Sequence, residues 1–153
     1  MIQLNLACGN DYREGWVNLD QDDRLKADVY FDLNTLAAGA RLPFDDDSVD
    51  LVVANHIVEH LDIPAFIPFM NECRRVLKPG CQMHIETPSP LCEWFHQDPT
   101  HRRGYTCNTF TIYFVQGIFA TYGIQVWASG EARQTERIEN GVQALVVNAI
   151  MTK

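Results

Sequence analysis

Residues 49–55, V-D-L-V-V-A-N, are apolar at nearly every position, and such a strand is expected to be covered on both faces, at the centre of a parallel sheet. A helix should connect it to the next strand. Phe66, Phe69, Met70, Cys73, Val76 and Leu77 recur at three- and four-residue spacing with Asn71, Glu72, Arg74 and Arg75 between them, which predicts an amphipathic helix. Asp62 is the candidate cap, Arg74, Arg75 and Lys78 suit the negative carboxyl end, and Pro79-Gly80 is expected to stop it. Pro68 lacks the backbone N–H that a helix interior uses, so a kink or a start later than Asp62 is expected. Residues 82–87 read as a strand again, completing a right-handed crossover.

Three shorter strands are expected before this unit, at 2–7, 16–20 and 27–31. After it, residues 88–105 show no sustained periodicity, a second helix is expected over 108–120, and two final strands, 124–127 and 142–151, form an antiparallel edge. The fold class is therefore α/β: a Rossmann-like, mostly parallel open sheet with an antiparallel C-terminal edge, in one domain spanning 1–153. In such sheets ligands bind beyond the carboxyl ends of the strands. The polar residues there are Ala7-Cys8-Gly9-Asn10, Asp20, Asp32-Leu33 and Asn55-His56.

A formal charge of −8 disfavours a nucleic-acid or anionic-membrane partner and favours a small or neutral one. The five cysteines lack a C-x-x-C pair, which argues against a disulfide framework or zinc ribbon and for free thiols in a reducing cytoplasm. No metal site is expected. The chain opens directly into a strand-like run, without a basic leader or an apolar span of membrane length, so a soluble, cytoplasmic protein is expected.

The strand ends occur in order with L-P-F-D (42–45), S-V-D (48–50), E-H-L (59–61) and R-V-L-K-P-G (75–80). In this combination the chain resembles the class I S-adenosylmethionine-dependent methyltransferases of the small methyltransferase-domain type, over roughly residues 4–87. The resemblance implies S-adenosylmethionine as cofactor. It places Ala7, Cys8, Gly9 and Asn10 at the cofactor loop, Asp20 on the ribose hydroxyls, Asp32 and Leu33 at the adenine, and Asn55 near the methionine portion. Each role is chemically apt: glycine lets a backbone turn close to a ligand, and a carboxylate accepts two hydrogen bonds from a diol. Taken singly, Gly9 reads as an ordinary turn and the aspartates as solvated loop residues. L-P-F-D and R-V-L-K-P-G are expected to be structural.

The chain departs from the family pattern in the first connection. The family usually has G-x-G-x-G, whereas here Ala7 stands at the first glycine and Asp11 at the third. The link to the second strand is also too short for the usual crossover helix, which should be reduced or absent. A more exposed and more weakly held cofactor is the expectation. Nicotinamide fits less well, because G-x-G-x-x-G is missing and the acidic residue follows Gly9 too soon.

Methyl transfer to a hydroxyl calls for alignment, exclusion of water and a base, a task suited to histidine. Two groups of candidates stand out. His56 and His60 flank Glu59 at the end of the fourth strand, and the long segment P-S-P-L-C-E-W-F-H-Q-D-P-T-H-R-R-G-Y-T has the length of a binding loop. The catalytic candidates are His101 as base, Asp98 as its orienting partner, and His56; the substrate-binding candidates are His60, Trp94 and Arg102. The alternative reading leaves this segment as a surface loop, with Trp94 and Phe95 as core anchors. The expected activity is methylation of a small polar or saccharide acceptor on oxygen. N-methylation, a non-catalytic cofactor-binding domain, and a homodimer whose site is completed across the interface remain alternatives.

Overall fold

A computed structural model describes the chain except for residues 119, 140 and 141. Seven strands form one sheet: β1 Gln3–Leu6, β2 Val17–Asp20, β3 Val29–Tyr30, β4 Val49–Asn55, β5 Leu77–Pro88, β6 Ser129–Glu139 and β7 Val142–Thr152. Their order is β3-β2-β1-β4-β5-β7-β6. The pairs from β3 through β5 are parallel, while β5–β7 and β7–β6 are antiparallel. The expected architecture is the observed one, with its antiparallel C-terminal edge.

One face carries the core. Leu4 and Leu6, Val52 and Ala54, Met83 and Ile85 share that face and are buried under helix α1 (Phe66–Val76) and a π-helical segment, Thr109–Val115. Phe66 stacks on Tyr105 with ring centres 4.1 Å apart, and Phe110 and Phe114 meet its edge. The opposite face is polar. The register lines up Asn55, Glu86, Asn148 and Arg133 in one row and Val53, His84, Ile150 and Glu131 in the next. Among the described residues no helix lies over these rows, so β4 is helix-covered on one face only, unlike the two-sided cover expected from its composition.

The short β1–β2 link explains how the sheet manages there. Residues 7–16 form two turns, closed by Asp11 N–H to Cys8 O and Trp16 N–H to Arg13 O. Two buried asparagines hold them. Asn5 Nδ2 donates to Asp11 O and to Asn18 Oδ1, while Asn18 donates to Arg13 O and Asp28 Oδ2 and accepts the Arg13 N–H. Side-chain amides therefore satisfy backbone groups that a crossover helix would have bonded internally.

Helix α1 starts at Phe66, later than Asp62, after a 3-10 turn at Ile63–Ala65. Pro68 then falls in the first turn, where no helical bond is lost, and Asp62 supplies no side-chain cap. The helix ends before Pro79-Gly80: Leu77 already has extended φ/ψ and begins β5, so the strand expected at 82–87 starts five residues earlier. Arg75 binds the L-P-F-D stretch, donating to Leu42 O, Phe44 O, Asp46 and Glu72, and Glu72 in turn accepts the Leu42 N–H.

Two expectations are corrected. Residues 124–127 are not a strand; Ile124 and Trp127, three positions apart, are both inserted into the core while Gln125 and Val126 between them stay exposed, and the edge strand is the polar Ser129–Glu139. The helix expected over 108–120 is π-helical and ends at Val115, with Gln116 N–H reaching back to Thr111 O and Gly117 following at φ 65°; its Phe119 lies outside the described residues. No helix among the described residues is long and apolar enough to cross a membrane.

Candidate active site and cofactor cleft

The ends of β1, β2 and β3 meet at one cleft, lined by Ala7, Leu19, Asp20, Gln21, Phe31, Asp32, Leu33, Asn34, Ile57, His60 and Leu61. Ala7 and Gly9 both have left-handed backbone, at φ 50° and 52°, which turns the chain sharply as it leaves β1. Glycine adopts this freely, whereas alanine is strained there. Asp20, only 8% exposed, anchors the loop: its Oδ2 accepts the Gly9 N–H at 2.8 Å and its Oδ1 the Asp22 N–H at 3.0 Å. Asp32 accepts the Asn34 N–H and so caps the 3-10 turn that carries Leu33 and Leu36 into the core.

Four of the residues expected at the cofactor therefore converge: Ala7, Asp20, Asp32 and Leu33. Gly9 is joined to them through Asp20. The others separate. Cys8 is buried, with its Sγ toward Lys26 O, and burial, with the charge of Asp20 adding to it, raises its pKa. Asn10 is exposed at the turn. Asn55 faces the open side of the sheet, where it lines a groove with Arg13, His84, Glu86 and Asn148.

A second pocket opens beside the cleft, lined by His56, Glu59, His60, Pro88, Trp94, Gln97, Asp98 and His101. His60 lines both. This pocket unites residues from the end of β4 and from the long segment, which contains the short helix α2 (Glu93–His96). The segment is tied down by Arg102 N–H to Glu59 O at 2.7 Å. Arg102 thus contributes its backbone; its guanidinium is 63% exposed and lies 3.7 Å from Asp62.

His101 is stacked on Phe95, and its Nδ1 lies 2.6 Å from the carbonyl oxygen of Phe95. A carbonyl only accepts, so Nδ1 carries the hydrogen and Nε2 of the neutral ring presents a lone pair. Asp98 Oδ2 is 3.7 Å from that Nε2. Hydrogen bonds from the Thr100 hydroxyl and N–H lower the Asp98 pKa. His56 is different. Burial opposes its charge, but hydrogen bonds to Glu59 and Glu86 outweigh it and raise the pKa to about 9. Its Nε2 lies 2.9 Å from Glu86 Oε1 and also 3.1 Å from Arg137 Nη2, two donors that cannot bond each other. Arg137 Nη1 lies 2.7 Å from the same Glu86 oxygen, so both cations are served by that carboxylate. His56 is thus a charged donor at neutral pH, with φ 54° and the Trp94 ring edge-on at 5.5 Å.

Glu59 was not among the expected site residues. It is fully buried, with Oε2 accepting from Thr87 Oγ1 at 2.9 Å and Oε1 lying 3.4 Å from His56 Nδ1. Its place between two histidines was the only sequence signal. Glu86 and Arg137 carried none: they lie on different strands, with Arg137 four positions beyond Arg133, the β6 residue in the row of Glu86, and only the folded sheet brings the guanidinium to that carboxylate.

The profile of the methyltransferase domain matches residues 4–85, more than half of the chain. The chain belongs to the methyltransferase-domain family. S-adenosylmethionine, the cofactor expected from the sequence, is the one named for the relatives that follow. A protein of Mycolicibacterium smegmatis described as a probable S-adenosylmethionine-dependent methyltransferase is 46% identical over 52 residues, which are 34% of this chain and 20% of that protein. The match thus spans about a fifth of the curated relative's length. Among solved structures, a SAM-dependent methyltransferase from Archaeoglobus fulgidus superposes with a TM-score of 0.70 at 18% identity, over 99% of this chain and 86% of the other. One from Methanosarcina mazei gives 0.65 at 14% identity, over 99% and 92%. These likenesses establish the fold.

The cleft suits this cofactor. Leu33, Phe31, Ile57 and Leu61 form apolar walls for a flat ring, and the carboxylates of Asp20 and Asp32 supply acceptors for hydroxyl and amino hydrogens. When bound, S-adenosylmethionine supplies a methyl group on a positively charged sulfur.

Proposed function

We propose that this chain transfers a methyl group from S-adenosylmethionine to a hydroxyl of a small polar or saccharide acceptor held in the second pocket. The observation that carries this reading is the position of His60, whose side chain borders both the cofactor cleft and the pocket of His56, Trp94, Asp98 and His101. An acceptor there lies next to the methyl donor.

His101 is the base in this reading. Its Nδ1–H is held by Phe95 O, so Nε2 is left to take the hydroxyl proton, and Asp98 stabilises the imidazolium that results. His56, protonated, offers charge and a hydrogen bond to acceptor oxygens, and Trp94 offers a flat apolar face of the kind on which sugar rings stack. His60 and the segment 88–105 align the acceptor and exclude water.

The test is release of S-adenosylhomocysteine with a panel of polar and saccharide acceptors, followed by His101→Gln and His101→Ala on the acceptor found. Loss of a general base lowers kcat by about 100- to 10,000-fold. Full turnover by both variants would remove His101 from this role. Equal turnover on a neutral amine and no turnover on hydroxyls would point to N-methylation, and cofactor binding without turnover would point to a binding domain.

A further inference from the structure

We propose that Glu59, His60 and His101 form a binding site for a divalent first-row transition-metal cation. One donor atom from each lies within 4.8 Å of the other two. In a tetrahedral site with bonds near 2.1 Å the donors sit about 3.4 Å apart, so side-chain adjustments of roughly an ångström close the set.

The hydrogen bonds around the two imidazoles prepare them as ligands. The Thr100 hydroxyl donates to Asp98 Oδ1 at 2.7 Å, so its oxygen is left to accept from His60 Nδ1 at 3.0 Å. Phe95 O holds the Nδ1–H of His101 in the same way. In both rings Nε2 is therefore the lone-pair nitrogen, its partner nitrogen fixed by an oxygen acceptor as in established metal sites. Glu59 supplies an independent indication: the residue is fully buried, and among the described residues its Oε1 accepts no well-aligned hydrogen bond, being met by the long contact from His56. A buried carboxylate oxygen left this way is costly unless a cation or donor meets it. His56 Nδ1, 3.4 Å away, is the nearest competing group.

Two imidazoles and one carboxylate suit the borderline cations from manganese to zinc and leave coordination positions open. The role of such a cation rests on this pocket being the acceptor site. A cation here lowers the pKa of a hydroxyl bound to it, and with His101 Nε2 held by the cation the released proton passes to the carboxylate of Asp98, which lines the same pocket.

Chelator-treated protein is titrated with Co²⁺ alone, in the absence of cofactor and acceptor, and visible d–d absorption is followed. Saturation near one equivalent is expected for the wild type and for His84→Ala, whose imidazole lies on the open sheet face. His60→Gln, His101→Gln and Glu59→Gln should each weaken uptake at least about ten-fold, since even outer-shell changes have that effect. Circular dichroism confirms folding, and because Glu59 is buried, the two histidine variants decide the outcome should Glu59→Gln fail to fold. No saturable absorption in the wild type, or uptake by both histidine variants equal to wild type, overturns the proposal. Cobalt uptake is read without methyl transfer, so its failure leaves the methyl-transfer reading standing, and absent turnover with intact uptake counts against that reading alone.

Discussion

Removing Arg75 tests how L-P-F-D is joined to the helix between β4 and β5. The guanidinium donates to Glu72 at 2.7 Å through Nε and again through Nη2, to Asp46 and Phe44 O through Nη1, and to Leu42 O through Nη2. The side chains of Arg75 and Glu72 are only 13% and 15% exposed. Arg75→Met keeps most of the stem and removes every donor. Two carbonyls then lose a charge-assisted bond, and Glu72 keeps the Leu42 N–H and the more distant Arg41 guanidinium at 3.9 Å. Breaking one side of a buried pair costs about 3–5 kcal/mol, and the residual exposure here lowers the expectation to about 2–4 kcal/mol. Urea denaturation measures this as a fall in the midpoint at constant slope. Glu72→Met combined with Arg75→Met should recover part of the loss, because no unpaired charge is left. The pH dependence arises from Glu72. Burial opposes its charge, but the Arg75 hydrogen bonds prevail and lower its pKa below 4.5, so the pair's contribution is complete above 4.5 and disappears as pH falls through the lowered folded value. A loss under 1 kcal/mol, or a gap between wild type and Arg75→Met that widens on acidification, would refute this reasoning.

Ala7→Gly relieves left-handed strain of about 1–2 kcal/mol but adds about 0.5–1 kcal/mol of chain entropy and removes a part-buried methyl. Its stability should stay within about 0.5 kcal/mol of wild type or rise, whereas the exposed control Ala37→Gly loses about 1 kcal/mol; equal losses at both sites would contradict the strain. Asn18→Leu removes the amide that joins the β1–β2 link to Asp28 and should cost about 2–3 kcal/mol in thermal unfolding, with faster hydrogen exchange over residues 7–16; an unchanged exchange pattern would show that the link does not depend on it. Asp20→Asn should largely abolish the rise in Tm caused by S-adenosylhomocysteine, a loss of about 1.5–3 kcal/mol in binding, and an undiminished rise would exclude Asp20 from the cleft.

From the sequence alone came the sheet's centre, the order of elements from β1 to β5, and the strand ends that line the cleft. Those features are local. V-D-L-V-V-A-N and the 66–77 periodicity describe which faces are apolar, and the residues after β1, β2 and β3 are placed by strands that end at them. The structure decided what depends on pairing distant segments. The crossover that lacks room for a helix is stabilised by Asn5 and Asn18, two residues that read in sequence as ordinary strand positions. The polar edge strand β6 has few apolar residues, so the apolar run with the buried Ile124 and Trp127 nearby reads as the strand instead. His101 and Asp98 were candidates by residue type and by their place in a long segment. It took the folding of the 88–105 segment onto Glu59 to set them against His56 and His60, and the assembly of β5, β7 and β6 into one sheet to bring Glu86 and Arg137 onto His56. Burial and hydrogen-bond partners arise from long-range contacts, and they, more than residue type, made one histidine a charged donor and another a lone-pair acceptor.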